Sequence, residues 1–217
     1  MKESPRFSLA LETATEICSV ALFKDQILLA HTDCFLPRQH MILVPKLIER
    51  LLDTTRVRIQ DISQIWVSQG PGSYTGLRCA SSLAKGIALG LGGIPILYVP
   101  TLLGMVQQLR DITAFSFNYS VFCPVLASRR GEIFCTAYAD ESLLPLQPPD
   151  TKALSRNLFE EFIQETGKRL IVLGPHVEEL KNHLPSDSSL FKIHPSAKSF
   201  AHLGVPASET EKLWTWK

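Results

Sequence analysis

The chain has 217 residues, of which 45% are hydrophobic and 20% charged, with a formal net charge of +1. That makeup is ordinary for a globular protein and suits one large domain or two small lobes. A charge this close to zero gives no electrostatic basis for wholesale binding to nucleic acid or to a membrane, and Arg129-Arg130 is too short a run to form a basic patch. The five cysteines (Cys18, Cys34, Cys79, Cys123 and Cys135) form no close metal-type pair and sit mostly in apolar runs. They read as reduced core residues of a cytosolic protein. The polar start, Met1-Lys2-Glu3-Ser4-Pro5, is unlike a signal peptide. Gly86 to Leu109 carries no charge, but Gly90, Gly92, Gly93, Pro95 and Pro100 break it up. A helix end, a strand and a new helix are expected there rather than a membrane span.

In chain order, Phe7–Leu11 reads as an apolar strand, Ile17–Phe23 as a second and Gln26–Phe35 as a third. Two close turns make this an antiparallel meander. From about Arg38 to Leu52, Met41, Val44, Ile48, Leu51 and Leu52 recur at helical spacing. Leu43 and Leu47 widen that stripe beyond one core contact. Pro45 must kink this helix or lie in its first turn. Ile65–Gln69 is a buried-type strand, and Gly70-Pro71-Gly72-Ser73-Tyr74-Thr75-Gly76-Leu77-Arg78 turns it into a helix reaching Leu91. A strand over Ile94–Val99 and a helix over Thr101–Arg110 follow. Three antiparallel strands and then strand–helix alternation predict a mixed sheet with flanking helices. This is the α/β core of the actin-like and ribonuclease-H-like folds.

The second half is less regular. Val121–Leu126 and Ile133–Tyr138 read as strands joined by a turn at Arg129-Arg130-Gly131-Glu132. They echo the opening hairpin, so two lobes are expected: residues 1–101, and a reduced second lobe over 102–217. Leu144–Pro149 reads as a linker or edge loop, Asn157–Thr166 as a helix, Leu170–Leu173 as a strand and Glu178–His183 as a short helix. The tail from Leu184 gives no clear pattern.

The glycine turn admits two readings. Gly70, Gly72, Ser73, Thr75 and Gly76 at a helix start suit a phosphate turn. The same residues also suit a plain reversal from strand to helix, which motif specificity favours. The turn is neither a P-loop nor a dinucleotide fingerprint. Glu12, ending the first strand, either holds a metal or water or simply hydrogen-bonds its own turn. The next strand ends in Ser68-Gln69 without an acid, so the second reading is preferred. No His-Glu-x-x-His, His-x-x-x-His or Gly-x-Ser-x-Gly occurs, and the histidines are scattered. No catalytic residue, metal ligand or cofactor is therefore expected. Gly76, Ala80, Ala84 and Ala88 repeat every four residues, and Cys79, Ser82 and Gly86 make a second small face. One face must cover the sheet, and the other is either free for a partner or sandwiched within the helix's own domain. With Leu43 and Leu47, the stripe at Gly76, Ala80, Ala84 and Ala88 is expected to dock a second helical surface.

Leu9-Ala10-Leu11-Glu12-Thr13-Ala14-Thr15-Glu16, His40 with Leu43 and Pro45, the Gly70–Arg78 turn and Ala84-Lys85-Gly86 closely resemble the TsaB family. The resemblance covers about residues 7–105. It implies two actin-like lobes in a non-catalytic subunit that partners the catalytic paralogue TsaD and the ATPase TsaE. Together they add threonylcarbamoyl to an adenosine beside the tRNA anticodon, in the cytoplasm and away from membranes. The subunit alone is expected to form a weak homodimer. TsaD carries two metal-binding histidines four apart, where this chain has Thr101 and Met105, neither of which replaces imidazole. Glu12 stands where the family usually has Asp. An actin-like phosphotransferase or ATPase, or a metallopeptidase, is the alternative reading.

Overall fold

The computed structural model describes residues 6–37, 39–112, 120–128, 131–139, 153–165, 169–201, 203 and 205–206. Arg129-Arg130, the Leu144–Pro149 linker and the last eleven residues lie outside that set. The chain divides into two units, Met1–Gly104 with Pro195–Lys217, and Met105–His194.

The first unit is built on a six-stranded sheet. β1 (Phe7–Glu12), β2 (Cys18–Lys24) and β3 (Ile27–Cys34) form the expected antiparallel meander. β4 (Ile62–Gly70) and β5 (Ile96–Pro100) add in parallel beyond β1, and β12 (Val205–Pro206) pairs antiparallel with β5. The strand order is β12-β5-β4-β1-β2-β3. The alternation of the strands assigns each side chain to one face. Leu9 and Leu11 of β1, Val20 and Leu22 of β2, and Ile65 and Val67 of β4 face helices α1 (His40–Thr55) and α2 (Tyr74–Gly90). Ala10, Ala21, Phe23, Trp66 and Val99 face the other way. There the Phe23 and Trp66 rings meet edge to face at 4.9 Å.

Pro45 lies in the second turn of α1 rather than the first, so the Met41 carbonyl loses its usual helix donor. The helix ends at Arg56, whose left-handed φ of +58° lets its N–H return to the last turn. α3 spans Thr101–Ile112.

The tail differs from its expected place in the second lobe. From Pro195 the chain belongs to the first unit. Ala197 and Phe200 fill the sheet face that α1 and α2 leave uncovered. Phe200 lies against Gly104 and Val99. Ala197 N donates to Ser19 Oγ at 2.8 Å, and Ser196 Oγ donates to Asp33 Oδ1 at 2.9 Å. Burying these apolar groups is the physical reason the tail returns.

The second unit has β6 (Ser120–Ala127), β7 (Ile133–Cys135), β8 (Tyr138–Ala139), β9 (Ala153–Leu154), β10 (Arg169–Gly174) and β11 (Ser189–Lys192), in the order β11-β10-β6-β7-β9, with β8 also on β6. α4 (Arg156–Glu165) packs Phe159 and Ile163 onto Val121, Cys123, Leu170 and Val172. The strand expected over 133–138 is split by Thr136-Ala137. The helix expected at 178–183 is a 3-10 helix, Val177–His183.

Candidate functional site

The glycine turn sits where β4 hands the chain to α2, directly against the β1–β2 connection. The Gly70–Pro71 peptide is cis and Gly70 has φ +102°. Gly70 N donates to Thr101 Oγ1 at 3.1 Å. Ser73 N donates to the Ala14 carbonyl at 2.6 Å. Ser73 then caps α2, its Oγ accepting from Gly76 N at 3.3 Å and its carbonyl from Leu77 N at 2.9 Å. Thr13 Oγ1 donates to the Gly76 carbonyl at 2.9 Å. A Cβ on Gly72 would run into the Ala14 carbonyl oxygen, with Ala14 Cβ at 2.6 Å, and one on Gly76 would run into the Thr13 carbonyl oxygen. The turn is therefore clasped by residues 13–14. Gly72 and Gly76 are small because another backbone lies against them. Thr75 is exposed, and Arg78 stacks its guanidinium 4.2 Å over the Tyr74 ring. This geometry matches a strand-to-helix reversal better than a phosphate cradle, since the Ser73 N–H and the Ser73 hydroxyl already have partners within the chain.

Two side chains brace the same connection. Glu12 is fully buried, and its Oε1 accepts from Ala14 N at 2.5 Å. Its Oε2 has no hydrogen-bond partner among the described residues. Burial pushes its carboxyl up to about 7, against the opposing pull of the Ala14 N–H, the nearby Ser68 hydroxyl and the Thr13 N–H. His40, the first residue of α1, places Nε2 2.8 Å from the Thr15 carbonyl. This ring hydrogen bond ties α1 to the loop, a role that no spacing in the sequence announces.

Glu12 gives a pH prediction. Its native pKa lies above the unfolded one, so the folded state holds the proton more tightly. Stability is then fullest below about pH 4.5, falls as pH rises towards about 7, and stays level above. A shift of this size corresponds to on the order of 3 kcal/mol. Glu12→Gln is expected to flatten that part of the profile and to raise the urea midpoint at about pH 8. An unchanged slope between about pH 5 and about pH 7 would show that Glu12 is not the titrating group.

The expected docking stripe needs correction. Gly76, Ala80, Ala84 and Ala88 are buried, as is Leu47, and Ala80, Ala84, Ala88 and Leu47 pack within the unit's own core. Leu43 is half-buried against the same core. The small residues let α2 lie close on the sheet and on α1. The outward faces carry other residues: Met41 (74% exposed) and Ile42 (60%) on α1, and Ser82, Lys85, Gly86 and Leu89 (77%) on α2. Thr101 and Met105 are both fully buried. Among the described residues no three His, Cys, Asp or Glu side chains are grouped to hold a metal ion, and no helix is long and apolar enough to cross a membrane.

A family model described as TsaD, tRNA N6-adenosine threonylcarbamoyltransferase, matches residues 34–145. The tRNA threonylcarbamoyladenosine biosynthesis protein TsaB of Escherichia coli (strain K12) is 39% identical over 168 residues, 76% of this chain and 70% of that protein. The protein of the same description from Bacillus subtilis (strain 168) is 28% identical over 76% of this chain and 69% of its own length. Among solved structures, YeaZ from Pseudomonas aeruginosa superposes with a TM-score of 0.76 at 22% identity, covering 94% of this chain and 97% of that one. The identity, the coverage and the shared two-sheet fold agree: the chain belongs to the TsaB family.

Proposed function

We propose that this chain is the scaffold subunit of the complex that makes threonylcarbamoyladenosine in tRNA. It acts as a tRNA-modification subunit beside a TsaD-like catalytic paralogue. It does no catalysis of its own, meets a TsaE-like ATPase and tRNA through the complex, and works in the cytoplasm. The observation that carries this reading is the clasped turn. Where an actin-like enzyme would offer backbone N–H groups to phosphate, Ala14 and Thr13 lie against Ser73, Gly72 and Gly76. Thr101 and Met105 support it as well, one bound to Gly70 N and both buried. Reconstitution tests it: modified tRNA is expected when this chain joins a TsaD-like and a TsaE-like protein, and none when it is alone. Transfer by this chain alone, or one tightly bound iron or zinc per chain, would overturn the reading.

For docking the TsaD-like partner, the outward side of α1 and α2 replaces the buried stripe. Met41 and Ile42 near the start of α1 and Leu89 near the end of α2 are exposed apolar residues on that side, and Gly86 offers close approach because nothing lies within 4 Å of a Cβ placed there. The same side is where weak self-association of the lone chain is expected. Gly86→Arg is expected to leave the fold intact, since Arg favours a helix over Gly by somewhat under about 1 kcal/mol. A charge pressed without a partner into an interface costs about 3–5 kcal/mol, so binding should weaken ~100-fold or more. A well-folded variant with wild-type affinity in calorimetry would put the interface elsewhere.

A further inference from the structure

The meander sets two thiols face to face. In the antiparallel ladder of β2 and β3, Cys18 is directly opposite Cys34. Both point to the α1–α2 side, where Cys18 is in the core and Cys34 packs against it. Facing residues of an antiparallel pair have Cα atoms about 4.5 or about 5.5 Å apart, within the roughly 4.4–6.8 Å that a disulfide spans. Cys18 is fully buried, whereas Cys34 is half-buried at the end of an edge strand, just before exposed Phe35 and Leu36. One thiol can thus meet a reagent and the other can only resolve what the first has captured.

We propose that Cys18 and Cys34 form a thiol–disulfide exchange site for a small-molecule disulfide of the glutathione type. The Cys34 thiolate attacks one sulfur of the reagent, its S–S bond breaks, and the first small thiolate leaves. Cys18, its proton given to solvent, attacks the Cys34 sulfur of the mixed disulfide. That bond breaks, the second small thiolate leaves, and a Cys18–Cys34 bond remains. The chain loses two electrons and two protons, and the reagent is reduced to two thiols. Burial, with Cys34 and Cys79 beside it, pushes the Cys18 thiol up to about 11, so the second step quickens with rising pH. The bond would pin the free edge of the sheet at the point where the chain leaves for α1, and it does not depend on the docking reading above.

The molecule carries its own control. Cys123 on β6 and Cys135 on β7 are a second pair of neighbouring thiols, hydrogen-bonded to each other, but both are buried and neither can meet a reagent as Cys34 does. They should stay reduced in the folded chain. The experiment treats the full chain with oxidised glutathione, blocks free thiols and maps peptides by mass. The expected product has lost two hydrogens and links the Cys18 and Cys34 peptides. Cys79→Ser should form the same link, and Cys18→Ser should stop with one glutathionyl group on Cys34. A link through any other cysteine, or a wild-type chain that keeps a stable mixed disulfide on Cys34, overturns the proposal. The wild-type map decides this even if a variant folds poorly.

Discussion

Ala84→Arg is expected to unfold the first unit rather than to block a partner. Ala84 has no exposed surface and lies between Ala80 and Ala88 on the face of α2 that meets the sheet and α1. A long cationic side chain there has no room and no water. The core it packs into includes Leu9, Val20, Val44, Ile48 and Ile65, all apolar. Leaving one charge buried and unpaired costs about 3–5 kcal/mol, and overpacking adds about 1–3 more. A domain holds only about 5–15 kcal/mol in all. Circular dichroism and a urea melt should show loss of cooperative unfolding or a midpoint far below wild type. A folded Ala84→Arg would mean that the helix can turn this face outward, and the packing described for α2 would then be wrong.

The contrast between Ala84 and Gly86 shows where sequence reasoning stopped. The meander, the strand–turn–helix and the parallel strands after it were legible, because alternating apolar residues and glycine punctuation act over a few positions. The four-residue stripe of small residues was also legible, but its direction was not. Close approach to a sheet and close approach to a partner helix ask for the same spacing, and only the tertiary fold separates them. The tail was illegible for a different reason. Ser19 and Ser196, 177 positions apart, bring their hydroxyls within 3.2 Å, and β12 is two residues long. Neither feature leaves a local pattern. Glu12 lay between: its place at the end of β1 was readable, but its complete burial was set by residues that arrive later in the chain. Family membership came from the motif residues themselves, because Gly72 and Gly76 answer a constraint imposed by the β1–β2 loop.

That constraint predicts the second large effect. Gly72→Val is expected to destabilise the first unit strongly. The new Cβ would meet the Ala14 carbonyl oxygen and lie 2.6 Å from Ala14 Cβ and 2.8 Å from Ala14 Cα. The obstacle is mostly backbone, so no rotamer change relieves it, and Ala14→Gly would remove only part of it. The loop over residues 13–15 would have to lift away. That would break the 2.6 Å bond from Ser73 N to the Ala14 carbonyl and strain the Thr13–Gly76 bond beside it. A φ of +156° is also one that β-branched residues rarely adopt. Backbone strain costs about 1–3 kcal/mol, and each buried group left without its hydrogen bond costs about 1–3 more. The melting temperature should fall by about 10 °C or more, since about 1 kcal/mol moves a domain of about 60–100 residues by about 4–8 °C and one of about 150–250 residues by about 2–4 °C. Gly86→Val is the matched control, because the same side chain there meets nothing within 4 Å. If Gly72→Val melted like wild type, the clasp between the turn and the β1–β2 loop would be loose enough to open. The turn would then be free to take a phosphate, and the reading of this chain as a scaffold would lose its main support.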